Sequence, residues 1–218
     1  MRDWLGRQGW IVLTLWGMLL FAAATAILLG RWQIGAVSLL TLLFAMAPDA
    51  LAARLSITLP VPFVVATTVF IFASLFMGEV FDFYERFWWW DIVLHASSAT
   101  GFGLIGFLFV FMLFEGDRFA APPSAIAFIA FCVAMTAGAL WEVFEFAMDQ
   151  SFGLNMQKSG LPDTMGDLIT DTIGALIGAV SGYFYLKAPI PEGLGIYLAQ
   201  FVAMNKRLYQ KSKARLKR

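Results

Sequence analysis

Charge is scarce in this chain. Asp, Glu, Lys and Arg make up 14% of its 218 residues, against about 25% in ordinary soluble domains, and that shortfall excludes a conventional water-exposed surface. Cysteine and histidine are scarcer still, with one of each. A lone Cys132 in mid-segment can form no internal disulfide and supplies no CxxC pair, so a disulfide-stapled domain and a structural cysteine zinc site are both excluded. With His95 as the single imidazole, the di-iron pattern that carries Glu-x-x-His twice is excluded too.

What fills the chain is apolar side chain, 60% of residues. A window of about 20 residues, the length that crosses a bilayer as a helix, finds apolar segments near 10–30, 35–54, 60–78, 91–114, 124–148 and 165–187. The first follows Arg2 and Arg7 and ends in small residues, as a signal peptide would, but its apolar run is too long and it reads as a retained helix. The expected fold is all-α: a polytopic six-helix transmembrane bundle over residues 1–188, with a tail over 189–218.

The zero net charge hides an asymmetry. An even number of spans puts both termini on one side, and that side collects Arg2, Arg7, Arg54, Arg118, Lys187, Lys206, Arg207, Lys211, Lys213, Arg215, Lys217 and Arg218, 12 of 15 basic residues. Arg31, Arg86 and Lys158 fall opposite. The positive-inside rule then predicts cytoplasmic termini in an inner membrane. The tail, apolar from Gly193 and basic at its end, reads as an amphipathic helix on anionic lipid headgroups. Its basic run is too short to suggest nucleic acid.

That orientation collects the intramembrane acids at one end of the bundle, the outer one. Asp91 and His95 open the fourth span, Glu142, Glu145 and Asp149 close the fifth, and Asp163, Asp167 and Asp171 open the sixth. An ionised acid at bilayer depth costs roughly 2.5–3.5 kcal/mol on insertion scales, so such residues face a protein interior or a functional site. The spacings i, i+4 for Asp91/His95 and Asp167/Asp171, and i, i+3, i+7 for Glu142/Glu145/Asp149, each make one helical stripe. At 1.5 Å per residue, His95, Glu142 and Asp171 share a layer roughly 6–10 Å inside the helix mouths. Gly174 and Gly178 continue one stripe, while Gly101, Gly103 and Gly106 thin the fourth span, so the predicted object is a tight polar core within residues 80–187. Before it comes GEVFDFYERFWWWD, whose Trp88, Trp89 and Trp90 suit an interfacial belt. Arg86 there can pair with an acid or grip an anionic substrate.

Clustered carboxylates cannot all ionise unless cations balance them. Three arrangements answer that. The first is metal: one imidazole with several oxygens suits Mg, Mn, Ca, Fe or Zn, and a pair of ions could polarise a phosphoryl or carbonyl group and activate water. The second is a proton relay, against which stands the lack of polar residues continuing the path beyond Asp49. The third is a structural network, with Asp163 as an N-cap and Ser97, Ser98, Thr164 and Thr172 bonding the acids.

The motifs DIVLH (91–95), WEVFEF (141–146) and DTMGDLITDTIGALIGA (163–179) resemble the bacterial inner-membrane YjdF family, and more distantly the VanZ-like proteins. Asp91/His95, Glu142/Glu145 and Asp163/Thr164/Asp167 match the YjdF-like pattern; Asp171 stands where VanZ-like proteins have asparagine. The resemblance implies a helical membrane fold and no particular substrate. The reading favoured is a metal-dependent hydrolase or transferase of lipid-linked or cell-envelope substrates. Asp91, His95, Glu142, Glu145, Asp167 and Asp171 would be ligands of a divalent metal ion, with His95, Glu142 and Glu145 doing the chemistry and Arg86 as anion clamp. The alternative is a non-enzymatic membrane protein, either a proton-coupled transporter or an assembly partner.

Overall fold

A computed structural model of the chain describes residues 9–114 and 121–209. These residues form helices joined by short turns and no strand. Six helices are long and apolar enough to cross a membrane: α1 (Trp10–Leu28), α2 (Trp32–Arg54), α3 (Val61–Val80), α5 (Trp90–Leu113), α6 (Pro123–Phe152) and α7 (Leu161–Lys187). A short α4 (Phe83–Arg86) precedes α5, and α8 (Gly195–Met204) follows α7. Large apolar side chains such as Phe21, Leu43, Phe128 and Ile169 stand exposed along these rods, as expected where the surrounding medium is itself hydrocarbon. The chain divides into two compact units, 1–90 and 91–218.

In the first unit α1 and α2 form a hairpin whose turn passes through Gly30 at φ 70°, a left-handed conformation that glycine adopts without steric cost. Val12, Trp16, Ala45 and Val64 make one small core, and Leu19, Phe72 and Phe76 another. Nothing in the residue pattern of α3 sets it apart, yet Phe72–Met77 winds as a π-helix. Beside it the Tyr84 ring sits where a Cβ on Gly78 would be, and its hydroxyl is 3.1 Å from Ser74 Oγ. Phe83 packs edge-on against Phe87 and Trp90 at 4.9 and 4.8 Å, while Trp88 is turned outward.

In the second unit α5, α6 and α7 run alternately up and down. Their apolar end is a core of Phe107, Val110, Phe111, Ile126, Ala130, Ala179 and Leu186; the acids occupy the other end. Close contact is made by glycine. A Cβ at Gly103 would lie 3.0 Å from Gly178 Cα, one at Gly106 3.0 Å from Val133, and one at Gly182 would enter the Phe107 ring. Gly101 takes no part in this packing, with open space where its side chain would be, because it falls on another face of the helix.

Two helices outrun their apolar windows. α6 continues to Phe152 and α7 begins at Leu161, since a hydropathy window stops at charge while the backbone stays helical. Asp163 is therefore not an N-cap: Gly160 takes that position, and Asp163 lies in the first turn, where an acid still complements the helix dipole. The tail folds back. Leu198 of α8 is buried in the apolar core together with Tyr209, whose hydroxyl donates to Leu108 O at 3.4 Å. Burial raises the Tyr209 phenol above its ordinary range. The outer side of α8 exposes Ile196, Tyr197 and Met204. Lys211, Lys213, Arg215, Lys217 and Arg218 of the expected basic run lie outside the described residues, as do Arg2, Arg7 and Arg118.

Candidate functional site

The site is built around one imidazole. His95, one turn into α5, is 8% exposed, with each ring nitrogen facing carboxylate. Nδ1 lies 3.1 Å from Asp171 Oδ1 of α7, within hydrogen-bond distance. Nε2 lies 3.7 Å from Asp91 Oδ1 and 3.9 Å from Asp167 Oδ1. The helical period accounts for both: Asp91 precedes His95 by one turn, and Asp167 precedes Asp171 by one turn, so each helix offers two groups to the same face. One ligand atom from each of Asp91, His95 and Asp167 lies within 4.8 Å of the others, a grouping able to hold a metal ion.

Small residues set the α5–α7 spacing that this geometry requires. A Cβ on Gly174 would lie 2.5 Å from Ala96 O and 2.9 Å from Ala99 Cβ, and the Thr100 hydroxyl donates across the seam to Gly174 O at 3.1 Å as well as to Ala96 O at 2.8 Å. From α6, Gly138 leaves the space that Asp171 Oδ2 occupies; a side chain there would collide with the carboxylate. Asp171 is 1% exposed, and its Oδ2 has no hydrogen-bond partner.

The remaining acids sort by what they touch. Glu142, one turn beyond Gly138 on α6, is 4% exposed, and neither carboxylate oxygen meets hydrogen-bond geometry with any group. Thr164 stands close enough to interact with it, while the Thr164 oxygen accepts from Gln157 Nε2 at 2.6 Å. Glu145 is half-buried; its Oε1 accepts from the Trp141 indole N–H at 2.9 Å, and its charge feels Glu142, Asp91 and His95. Asp149 accepts the backbone N–H groups of Met156 and Gln157 at 2.7 and 2.9 Å, so it ties the α6–α7 loop. Of the four hydroxyls expected to satisfy the acids, Thr164 stands by Glu142, while the other three bond their own helices: Ser97 to Val93 O, Ser98 to His95 O and Thr172 to Leu168 O.

Sequence reading missed three participants. Gly138 is a space, visible only once its neighbour is known. Gln157 orders Thr164 from the loop. Lys158 sits in that loop with its charge near Asp91 and Asp163; its place on the acid side of the topology was the signal that could have found it. Arg86 belongs to the first unit, where its guanidinium is 3.9 Å from Asp82, both well exposed, a geometry that holds neither group firmly.

Chemically, the arrangement has more carboxylate than donor. Burying a polar group without a hydrogen bond is expensive, and among the described residues both Glu142 carboxyl oxygens and Asp171 Oδ2 are buried with no hydrogen-bond partner. The Asp171–His95 pair is the familiar orienting unit of metal sites, in which a carboxylate fixes one ring nitrogen and aims the other. Here the aimed nitrogen faces Asp91 and Asp167.

A helical membrane protein with a buried acid–histidine cluster is thus the class that fold and site define. The chain belongs to the family described as "Predicted membrane protein (DUF2238)", which it matches over residues 9–188, in agreement with the YjdF-like pattern of its motifs. It is similar to an "Uncharacterized protein" of Thermotoga maritima, 34% identical over 104 residues, 48% of this chain and 53% of the relative. The chain thus spans about half the length of that curated relative. No solved structure matches.

Proposed function

We propose that this protein is a metal-binding protein of the bacterial inner membrane, in which Asp91, His95 and Asp167 hold a divalent cation and Asp171 orients His95. The observation that carries the reading is the two-sided environment of the imidazole: one nitrogen bonded to a buried carboxylate, the other turned to two more. A structural network would have used the nearby hydroxyls, yet those of Ser97, Ser98 and Thr172 bond backbone instead. One imidazole and two carboxylates suit Mn, Fe or Zn, and such an ion when bound supplies Lewis acidity. On that basis the activity class proposed is hydrolysis or transfer on a lipid-linked or cell-envelope substrate. Glu142 and Glu145 stand beside the ligands as groups able to take or give a proton.

The positive-inside distribution supports an orientation with both termini cytoplasmic and the cluster at the outer side. Lys206, Arg207 and the basic residues after them are the proposed contact with anionic headgroups.

Elemental analysis of the purified protein tests the reading. Stoichiometric Mn, Fe or Zn, lost in His95→Ala and in Asp167→Asn but kept in Asp149→Asn, is the expected result. A metal-free protein that drives proton-dependent solute uptake in vesicles would replace it with the transporter reading.

A further inference from the structure

The three-residue grouping leaves Glu142 unused. A buried carboxylate with both oxygens unpartnered is a costly feature to retain, and its position is specific. Gly138 and Glu142 are i, i+4 on α6 and so share a face. Gly138 touches Asp171 Oδ2, which places Glu142 one turn along that seam, towards the start of α7 and within reach of Thr164. Two buried carboxylates therefore border one stretch of the α6–α7 seam, one with both oxygens unpartnered and the other with its outward oxygen unpartnered.

Asp171 is the hinge of the arrangement. Its Oδ1 is spent on His95 Nδ1, and its Oδ2 points to α6 into space that exists because residue 138 has no side chain. We propose that the Glu142 carboxylate and Asp171 Oδ2, with the Thr164 hydroxyl, form a second cation site, so that the membrane core holds two divalent ions with Asp171 linking them. This rests on the assignment of the first ion to Asp91, His95 and Asp167. The second donor set contains oxygen alone, so it selects a hard cation, Mg2+ or Mn2+, where the first has an imidazole and accepts softer ions. A pair of hard and borderline cations suits an anionic phosphoryl group, whose oxygens can be shared between them; the substrate class that follows is a phosphate ester or diphosphate carried on a lipid.

Mn2+ titration of the purified, metal-stripped protein in detergent, followed by electron paramagnetic resonance of free Mn2+, counts the sites. Two Mn2+ per chain in the wild type and one in Glu142→Gln are expected, with Gly138→Ala weakening the site lost in Glu142→Gln at least tenfold. Circular dichroism and size-exclusion profiles matching the wild type certify that the variants fold. One Mn2+ in both wild type and Glu142→Gln, abolished by His95→Ala, would overturn the second site and leave the first. One Mn2+ in the wild type and none in Glu142→Gln would make Glu142 a ligand of a single ion and also overturn the proposal. No Mn2+ binding by the wild type would remove both.

Discussion

At the scale of single residues, the division of labour around His95 makes separable predictions. In the proposed metal site Asp171 orients the ring, so Asp171→Asn should lower affinity by about 10–100-fold, as loss of such an orienting partner does elsewhere, while His95→Ala should abolish binding; isothermal titration with Zn2+ distinguishes them. Residue types and spacing made Asp91, His95, Asp167 and Asp171 legible in the sequence, because carboxylates at membrane depth are rarely kept unless they face a bundle interior and a partner there. The finer roles were not legible. Which nitrogen faces which acid depends on ring rotation, and the hydroxyls at 97, 98 and 172 turned to their own backbones, a local competition that i−3 and i−4 carbonyls commonly win in apolar helices. Gly138 gave no signal, since its function is a volume set by another helix.

At the scale of elements, the α5–α7 seam sets the depth and spacing of the site. Gly178 packs on Gly103 and on Thr100 O, which a Cβ would meet at 2.6 Å. Gly178→Val should force the helices apart and cost about 1–3 kcal/mol by overpacking, read as a lower unfolding midpoint in detergent, and should weaken metal binding along with stability. Thr100→Val removes the bond to Gly174 O and should cost about 0.6 kcal/mol, the average for interhelical hydrogen bonds in membranes. In the first unit, Tyr84→Phe removes the contact with Ser74 and should cost about 0.5–1.5 kcal/mol without altering metal content. Hydropathy located all six long helices because apolar length is a property of local sequence. It misplaced the ends at Asp149 and Asp163, where helix continues past the apolar stretch, and it could not see the π-turns of Phe72–Met77, which lie beside a tyrosine packed on a glycine.

At the scale of the molecule, the second unit concentrates its polar chemistry at one end of its helices and its apolar packing at the other. The fold class followed from composition, since so little charge leaves few alternatives to a multi-pass membrane protein. The return of α8 onto the bundle did not, because Leu198 and Tyr209 are ordinary residues until Phe107, Phe111 and Ile126 are seen to receive them. Orientation is a prediction of charge distribution: a fluorescent reporter fused at the C-terminus should be active in the cytoplasm, and a periplasm-dependent phosphatase at the same position should be silent.

The central claim is that one imidazole and carboxylates from separate helices share a metal ion within the membrane. X-ray absorption at the zinc edge of Zn2+-loaded protein reads that ligand set directly. One imidazole with oxygen neighbours and no sulfur is the predicted spectrum, with the imidazole signal vanishing in His95→Ala. A spectrum unchanged by that substitution, or one carrying sulfur from Cys132, would contradict it.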